Sequence, residues 1–570
     1  MIHSSVFQKI KRRNERGLVS LMFLMMLTSF PYANASAQTV FENSDAGNWS
    51  PDGKNSVNIP DSISYVFLVS VDGLRPDAIT NLGYKNLPNF YRLRITGAFT
   101  DNARTDYYYT VTLPNHTTML TGRMVVGAQG HNVTFNNDNN GTIASVRGYY
   151  VAGVFDVIHD NGLSTAMYAG KDKFNFLNRT WNGDNGAEDT VGTDDGRDKI
   201  DLFVKNSNTA FLMNTFISNM KSSPHRFSFI HFRDPDSNGH SYGWGSAAYN
   251  NSVKLVDKYL GQLFDLIDND TTFTNKSVII LTADHGGVYN GHYDNKNRII
   301  YTIPFYAWGP GVPAGMDLYV LNADSRRDPG TGRPDYLSSP QPIRNGDAGN
   351  LVTSMFNLEP ISGATINAFQ DLRITVPGGR EDLPEVTILS PVVDQVFYEN
   401  DTIRIDVLAT SNRGNIAKVE FFANWNSIGT DTTAPYSFAL GGLSLGNYII
   451  TARAVDSSGI GATASAKIKV IETVSIDAQE SLPTGYFLCE NYPNPFNPVT
   501  TISFGLPVNG NVKITIFNVL GKPVADLVNE WHEAGNYSVV WNTHGLPSGT
   551  YFYRIQVNDF IQTRKMVLLK

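Results

Sequence analysis

Tyr65-Val66-Phe67-Leu68-Val69-Ser70-Val71, followed at once by Asp72-Gly73, is the stretch on which the fold turns. It carries no charge, is apolar on both faces and is rich in β-branched side chains. Such a run matches a strand buried on both sides, as in a mostly parallel sheet covered by helices. Phe227-Ser228-Phe229-Ile230-His231-Phe232 and Val278-Ile279-Ile280-Leu281 share its character. Between them, Ser252 to Ile267 places Val253, Val256, Leu260, Leu263 and Leu266 at helical spacing, which predicts a helix joining two of the strands. Residues 64–372 therefore read as an α/β domain with a mostly parallel sheet flanked by helices.

Each buried run leads into acidic and histidine residues. Asp72 follows the first run. Asp236 and His240 follow the second, in D-P-D-S-N-G-H. Asp284 and His285 follow the third, in T-A-D-H-G-G, with His292 soon after in N-G-H. In open α/β sheets, ligands bind just beyond the carboxyl ends of the strands. Carboxylates and imidazoles without thiolates are the donors of zinc or a similar divalent ion. One aspartate at a strand end is more often a cap or turn former. Six such residues at three strand ends in one domain are hard to explain as capping. Pro235 and Gly239 predict a loop, not a helical face, for the Asp236–His240 spacing, and Asp234 reads as a turn residue. Thr112, in Y-T-V-T-L-P-N-H-T-T-M-L-T-G, says little alone. Its neighbours Thr110, Thr117, Thr118 and Thr121 read as helix caps, and Asn115 and His116 as loop-organising residues.

The formal balance is 45 basic against 53 acidic side chains, a net charge of −8, which argues against nucleic acid as the main partner. The single cysteine, Cys489, excludes an intrachain disulfide and a thiolate cluster. At the start of the chain, Lys9, Lys11, Arg12, Arg13 and Arg16 precede an apolar run over 18–30 and the small-residue site Ala35-Ser36-Ala37. Residues 1–37 are expected to be a signal peptide cut before Gln38. The run is shorter than the roughly 20 residues of a membrane span, and no later segment is long and apolar enough to be one. The chain is therefore expected to be exported.

The pattern changes near residue 375. Val376-Pro377-Gly378-Gly379-Arg380-Glu381-Asp382-Leu383-Pro384 is a linker. Residues 385–472 then show short alternating strands, such as Ile403-Arg404-Ile405-Asp406-Val407, that suit a β-sandwich. Residues 482–570 read as a second one. Its N-Y-P-N-P-F-N-P segment is too proline-rich for a helix or central strand.

Four segments, in order, carry a resemblance: V-S-V-D-G-L-R-P-D, T-L-P-N-H-T-T-M-L-T-G, D-P-D-S-N-G-H and T-A-D-H-G-G. Residues 64–370 resemble the alkaline phosphatase superfamily, in its type I phosphodiesterase and nucleotide pyrophosphatase branch. The resemblance implies an exported phosphoric ester hydrolase with two divalent metal ions, zinc by expectation. Thr112 is the implied nucleophile, acting through a covalent phosphothreonine on a small phosphate-ester substrate. It implies one ion held by Asp236, His240 and a third histidine, and the other by Asp72, Asp284, His285 and the Thr112 oxygen. His292 is assigned as the third histidine because no histidine follows it before the β-modules. Asn132 matches the family asparagine that donates to a non-bridging phosphoryl oxygen, a transition-state contact. Lys171, with Lys173 nearby, is a candidate for the extra charge of a phosphate monoester.

One departure stands out. Nucleotide pyrophosphatases carry an aromatic residue directly after the nucleophile, where this chain has Leu113, so nucleotide specificity is not implied. Tyr107, Tyr108, Tyr109, Tyr242 and Trp244 remain as material for an aromatic wall. A sulfatase would need a cysteine or serine at position 112, and export argues against a phosphomutase. An inert surface-binding protein and an enzyme restricted to monoesters are the alternatives. Residues 385–472 resemble a bacterial Ig-like domain through A-V-D-S-S-G at 454–459. Residues 482–570 resemble the C-terminal sorting domain of type IX secretion through N-Y-P-N-P-F-N-P, V-K-I-T-I-F-N-V-L-G, L-P-S-G-T-Y-F-Y-R-I and R-K-M-V-L-L-K. This implies the type IX secretion machinery as a partner and a secreted or outer-membrane cell-surface location.

Overall fold

A computed structural model describes residues 63–192, 196–472, 482–543 and 545–569. The expected signal peptide, its cut before Gln38 and the polar lead-in as far as residue 62 lie outside these residues.

The α/β domain is built on an eight-stranded sheet. Its strands are β1 (Tyr65–Val71), β2 (Ala98–Arg104), β3 (Thr165–Ala169), β4 (Leu202–Lys205), β5 (Phe227–Phe232), β6 (Ser277–Thr282), β7 (Thr302–Trp308) and β8 (Met316–Asp317). They lie in the order β4-β3-β5-β1-β6-β7-β2-β8. The five from β4 to β6 run parallel, and β7 is antiparallel to both its neighbours. The apolar run 65–71 is thus the middle of the sheet. From Val66 to Val71 it is fully buried, and each large apolar side chain so buried stabilises the fold by about 1.5–3 kcal/mol.

Register decides where the chemistry goes. Val71 pairs with Phe232, and Ser70 with Thr282, so β1, β5 and β6 end level with one another. The residues just past their carboxyl ends share one rim.

The helix predicted over 252–267 extends over Ala247–Asn269 and buries Val253, Val256, Leu260, Leu263 and Leu266. It starts earlier than the apolar spacing indicates because Ser246 caps it, its side chain accepting from the Tyr249 N–H at 3.2 Å. The first turn, Ala247 to Asn250, carries a single large apolar side chain, Tyr249, too few to set a period.

Beyond the linker the structure is all β. One module pairs a five-stranded sheet with a three-stranded one, over residues 385–471. Its pairings are antiparallel except where Gln395–Tyr398 lies parallel to Gly461–Ile471. The second pairs a three-stranded and a four-stranded sheet over residues 487–568, all antiparallel. The first module is seated on the α/β domain at the amino end of β2. Ala314 N–H donates to Gly461 O at 2.7 Å, Ile460 packs into the α/β core, and Phe422 and Trp425 cluster with Ile95. That rim is opposite the ends of β1, β5 and β6. Among the described residues no helix is long and apolar enough to cross a membrane.

Candidate active site

Asp236 and His240 do not sit on a loop. Asp234–Tyr242 is a helix, which corrects the reading drawn from Pro235 and Gly239. Pro235 lies in the first turn, where a helix has no use for that N–H. Gly239 is there for packing: a Cβ at this position would fall 2.5 Å from the indole of Trp244. The helix sets Asp236 and His240 one turn apart on one face. Trp244 is buried, packs against Gly287 as well, and donates from Nε1 to Gly73 O at 2.9 Å. It braces three turns of the rim and is not a wall for a ligand. Tyr242 and Tyr108 are exposed.

Two groups of donors form at the rim. Asp72, Asp284 and His285 offer ligand atoms within 4.8 Å of one another, as do Asp236, His240 and His292. The hydrogen bonds show which atoms are free. Asp284 Oδ1 accepts from the N–H groups of Gly73 and His285, while its Oδ2 is buried without a hydrogen bond. Asp72 Oδ1, Asp236 Oδ1 and His285 Nε2 are likewise buried without one. His285 Nδ1 donates to Gly286 O at 2.8 Å, so the neutral ring presents a bare Nε2, 3.1 Å from Asp284 Oδ2. His240 Nδ1 donates to Asn290 O and His292 Nδ1 to Thr110 O, which leaves their Nε2 atoms facing each other at 3.0 Å. Orphaned acceptors converging in two places are costly in an apolar interior and fit a pair of cations.

The charges tell the same story. Lys171 Nζ lies 2.6 Å from both Asp72 Oδ2 and Asp236 Oδ2, between the two groups. Burial works to raise the Asp72 carboxyl, but Lys171 and then His231 hold it well below the usual range. Burial, followed by the charge of Asp72, pushes Asp284 well above it. Burial is also the largest influence on Lys171, but Asp72 and Asp236 outweigh it and raise the ammonium. Burial lowers His285 to about 3, with His292 adding to the effect. One lysine for three buried carboxylates is a deficit of positive charge, and divalent cations would fill it.

Thr112 is the first residue of the helix Thr112–Thr121, after extended Val111, and is almost wholly buried. It borders a cavity of about 680 Å³ that Lys171, Lys173, Asp236, His240 and His292 also line. None of the nearby threonines caps a helix. Thr110 Oγ1 donates to His292 O at 2.6 Å and so pins that histidine from both sides. Thr117 and Thr121 donate to carbonyls four residues back, and Thr118 pairs with His131. Asn115 and His116 belong to this helix. Asn115 still shapes the preceding loop, accepting from Asp106 N–H and donating to Tyr109 O.

Asn132 takes a left-handed turn conformation (φ 60°), its N–H donating to Val125 O at 2.7 Å. Asn136 and Asn137 line the cavity instead, and Asn136 Oδ1 accepts from Leu113 N–H at 2.9 Å. Asn136 sits in the polar run F-N-N-D-N-N, where nothing local distinguishes it. Tyr293 was also invisible in the sequence. It stacks on His292 with ring centres 5.0 Å apart and lines the cavity. Leu113 is fully buried and offers the cavity no face.

Residues 66–139 and 142–313 match the family model of type I phosphodiesterase / nucleotide pyrophosphatase. Residues 384–452 match a bacterial Ig domain and residues 490–569 a secretion system C-terminal sorting domain. Ectonucleotide pyrophosphatase/phosphodiesterase family member 3 of Bos taurus is 27% identical over 322 residues, 51% of this chain and 34% of its own length. GPI ethanolamine phosphate transferase 1 of Saccharomyces cerevisiae is 36% identical over 85 residues, 15% of this chain and 9% of its own. The chain thus spans about a third or less of the length of these curated relatives. The solved structure of human ectonucleotide pyrophosphatase / phosphodiesterase 5 aligns at 16% identity with a TM-score of 0.37, covering 54% of this chain and 99% of that one.

Proposed function

We propose that this chain, whose α/β domain carries the type I phosphodiesterase / nucleotide pyrophosphatase pattern, is an exported phosphoric ester hydrolase with Thr112 as its nucleophile. The observation that carries the reading is the pair of donor groups with unpartnered ligand atoms, joined through Lys171, of which Asp236, His240 and His292 line the cavity that Thr112 borders. Asp72, Asp284 and His285, with the Thr112 oxygen, would hold one divalent ion. Asp236, His240 and His292 would hold the other. Nitrogen and oxygen donors without sulfur suit zinc. Bound there, such ions lower the pKa of a hydroxyl and offset charge on attacking and leaving oxygens.

The chain's own residues supply the rest. Thr112 Oγ1 forms a bond to phosphorus as the ester oxygen leaves, giving a phosphothreonine. Water then breaks the Thr112–phosphorus bond and restores the hydroxyl. Asn136 takes the part expected of Asn132. Its oxygen is engaged by Leu113, so the amide donor is what it has left to offer a phosphoryl oxygen. Export through the type IX machinery follows from the sorting-domain match.

A second observation favours monoesters. Lys171 and Lys173 both line the cavity, and a monoester dianion carries one more charge than a diester. The test is a paired rate assay on the purified chain with zinc, comparing bis-p-nitrophenyl phosphate and p-nitrophenyl phosphate, beside Thr112→Ala. Cleavage of either ester, lost in the variant, supports the reading, and the faster substrate gives the class. No cleavage together with no bound metal overturns it in favour of a surface-binding protein.

A further inference from the structure

We infer that His231 is a positioning residue that fixes which oxygen of Asp72 faces its donor group. The inference rests on the active-site reading above. His231 lies on β5, beside Ser70 of β1 in the register, and its side chain is wholly buried. Its Nδ1 lies 3.1 Å from the backbone N–H of Gly170. That N–H is a donor only, so Nδ1 accepts, and the one proton of the neutral ring is on Nε2. Nε2 lies 2.9 Å from Asp72 Oδ2 and donates to it. Asp72 Oδ2 is thereby engaged, and Oδ1 is left as the unpartnered atom, 3.7 Å from His285 Nε2.

The same ring steers a second element. Gly170 immediately precedes Lys171, whose ammonium bridges Asp72 and Asp236. A Cβ at Gly170 would meet Arg233 at 3.0 Å and His231 Nδ1 at 3.3 Å, so the chain passes close against the imidazole. One buried ring therefore links the end of β3, the end of β1 and the strand β5 that carries it. Phe174 and His116 hold the ring in place, with centres 4.4 Å and 5.0 Å away. Hydrogen bonds to ligating carboxylates of this kind set their orientation, and losing one costs roughly 10–100-fold in metal affinity.

The test uses the full chain and zinc. Affinity for each of the two ions is measured by competition with a chromophoric chelator for the unsubstituted protein, His231→Phe and His231→Gln. His231→Phe fills the space without a donor and is expected to weaken one ion by about 10–100-fold, leaving the other within a few-fold. His231→Gln keeps an N–H near the Nε2 position and is expected to recover most of the loss. Two ions held at unchanged affinity in both variants, or equal loss in both, would overturn the inference. Selective ¹⁵N-histidine NMR on the unsubstituted metal-free protein gives a reading that needs no variant to fold. An Nε2–H tautomer at His231 supports the inference and an Nδ1–H tautomer overturns it. If the unsubstituted protein takes up no divalent ion, the active-site reading is the one that fails, and the tautomer still decides the role of His231 toward Asp72.

Discussion

His240 Nε2 and His292 Nε2 face each other at 3.0 Å, each ring having given its Nδ1 hydrogen to a backbone carbonyl. As neutral rings they present two lone pairs to one another, and a cation between them removes the conflict. Without a metal ion a proton relieves it, and of the two rings Asp236 raises the pKa of His240 while burial lowers that of His292. His292→Ala is therefore expected to bind one divalent ion instead of two, with kcat/KM falling on the order of 100-fold or more. Elemental analysis of the dialysed protein beside the rate assay checks both.

Asn136 and Asn132 separate cleanly by mutation. Asn136→Ala removes an amide that borders the cavity and is expected to lower kcat by about 100- to 1000-fold. Asn132→Gly keeps a left-handed conformation that glycine adopts freely and should leave kcat within about three-fold. A large loss at Asn132 with little at Asn136 would return the role to Asn132.

Lys173→Ala is expected to reduce kcat/KM for p-nitrophenyl phosphate by about 10- to 100-fold, the loss of one charge-assisted hydrogen bond. The diester should change much less. Steady-state kinetics on both substrates shows whether the two slow together, which would mean that Lys173 serves packing alone.

Asp257 predicts a pH dependence of stability. Its carboxylate accepts from the backbone N–H groups of Asn89 and Phe90 and from the Asn89 side chain, yet burial pushes its pKa up to about 7. The folded state thus holds the proton more tightly than the unfolded chain, whose value is near 3.8. This group's contribution is fully present below the unfolded value and is lost as pH rises through about 7. Asp257→Asn should flatten that part of the profile, so the stability difference between variant and parent shifts in the variant's favour from pH 5 to pH 8. Urea midpoints across that range measure it.

Gly239→Ala tests the Trp244 brace. The added methyl group has no space against the indole. Overpacking of this kind costs about 1–3 kcal/mol, read as a lower Tm, and the affinity of the ion at Asp236 and His240 should fall with it. An unchanged Tm would mean that Trp244 moves aside at little cost.

The buried strands, the long helix and the β-modules were legible in the sequence because each has a local period that burial on one face or two imposes. Asp72, Asp236, Asp284 and His285 were legible as candidates for a related reason: each comes soon after such a run, and parallel strands bring the residues past their carboxyl ends to one rim. Local pattern failed where tertiary packing chose between alternatives. Proline and glycine signalled a loop at 235–239, but a helix holds there because its first turn tolerates proline and Trp244 occupies the space beside Gly239. Asn136 rather than Asn132 borders the cavity because the chain turns at 132 before reaching it. The sequence by itself determined the strand-end ligand types and the domain order. The facing of His240 and His292, the place of Lys171 between two carboxylates and the hydrogen bond from His231 to Asp72 were decided only by the tertiary structure. Each joins residues 50 or more positions apart, and no local period reaches across that distance to set an orientation.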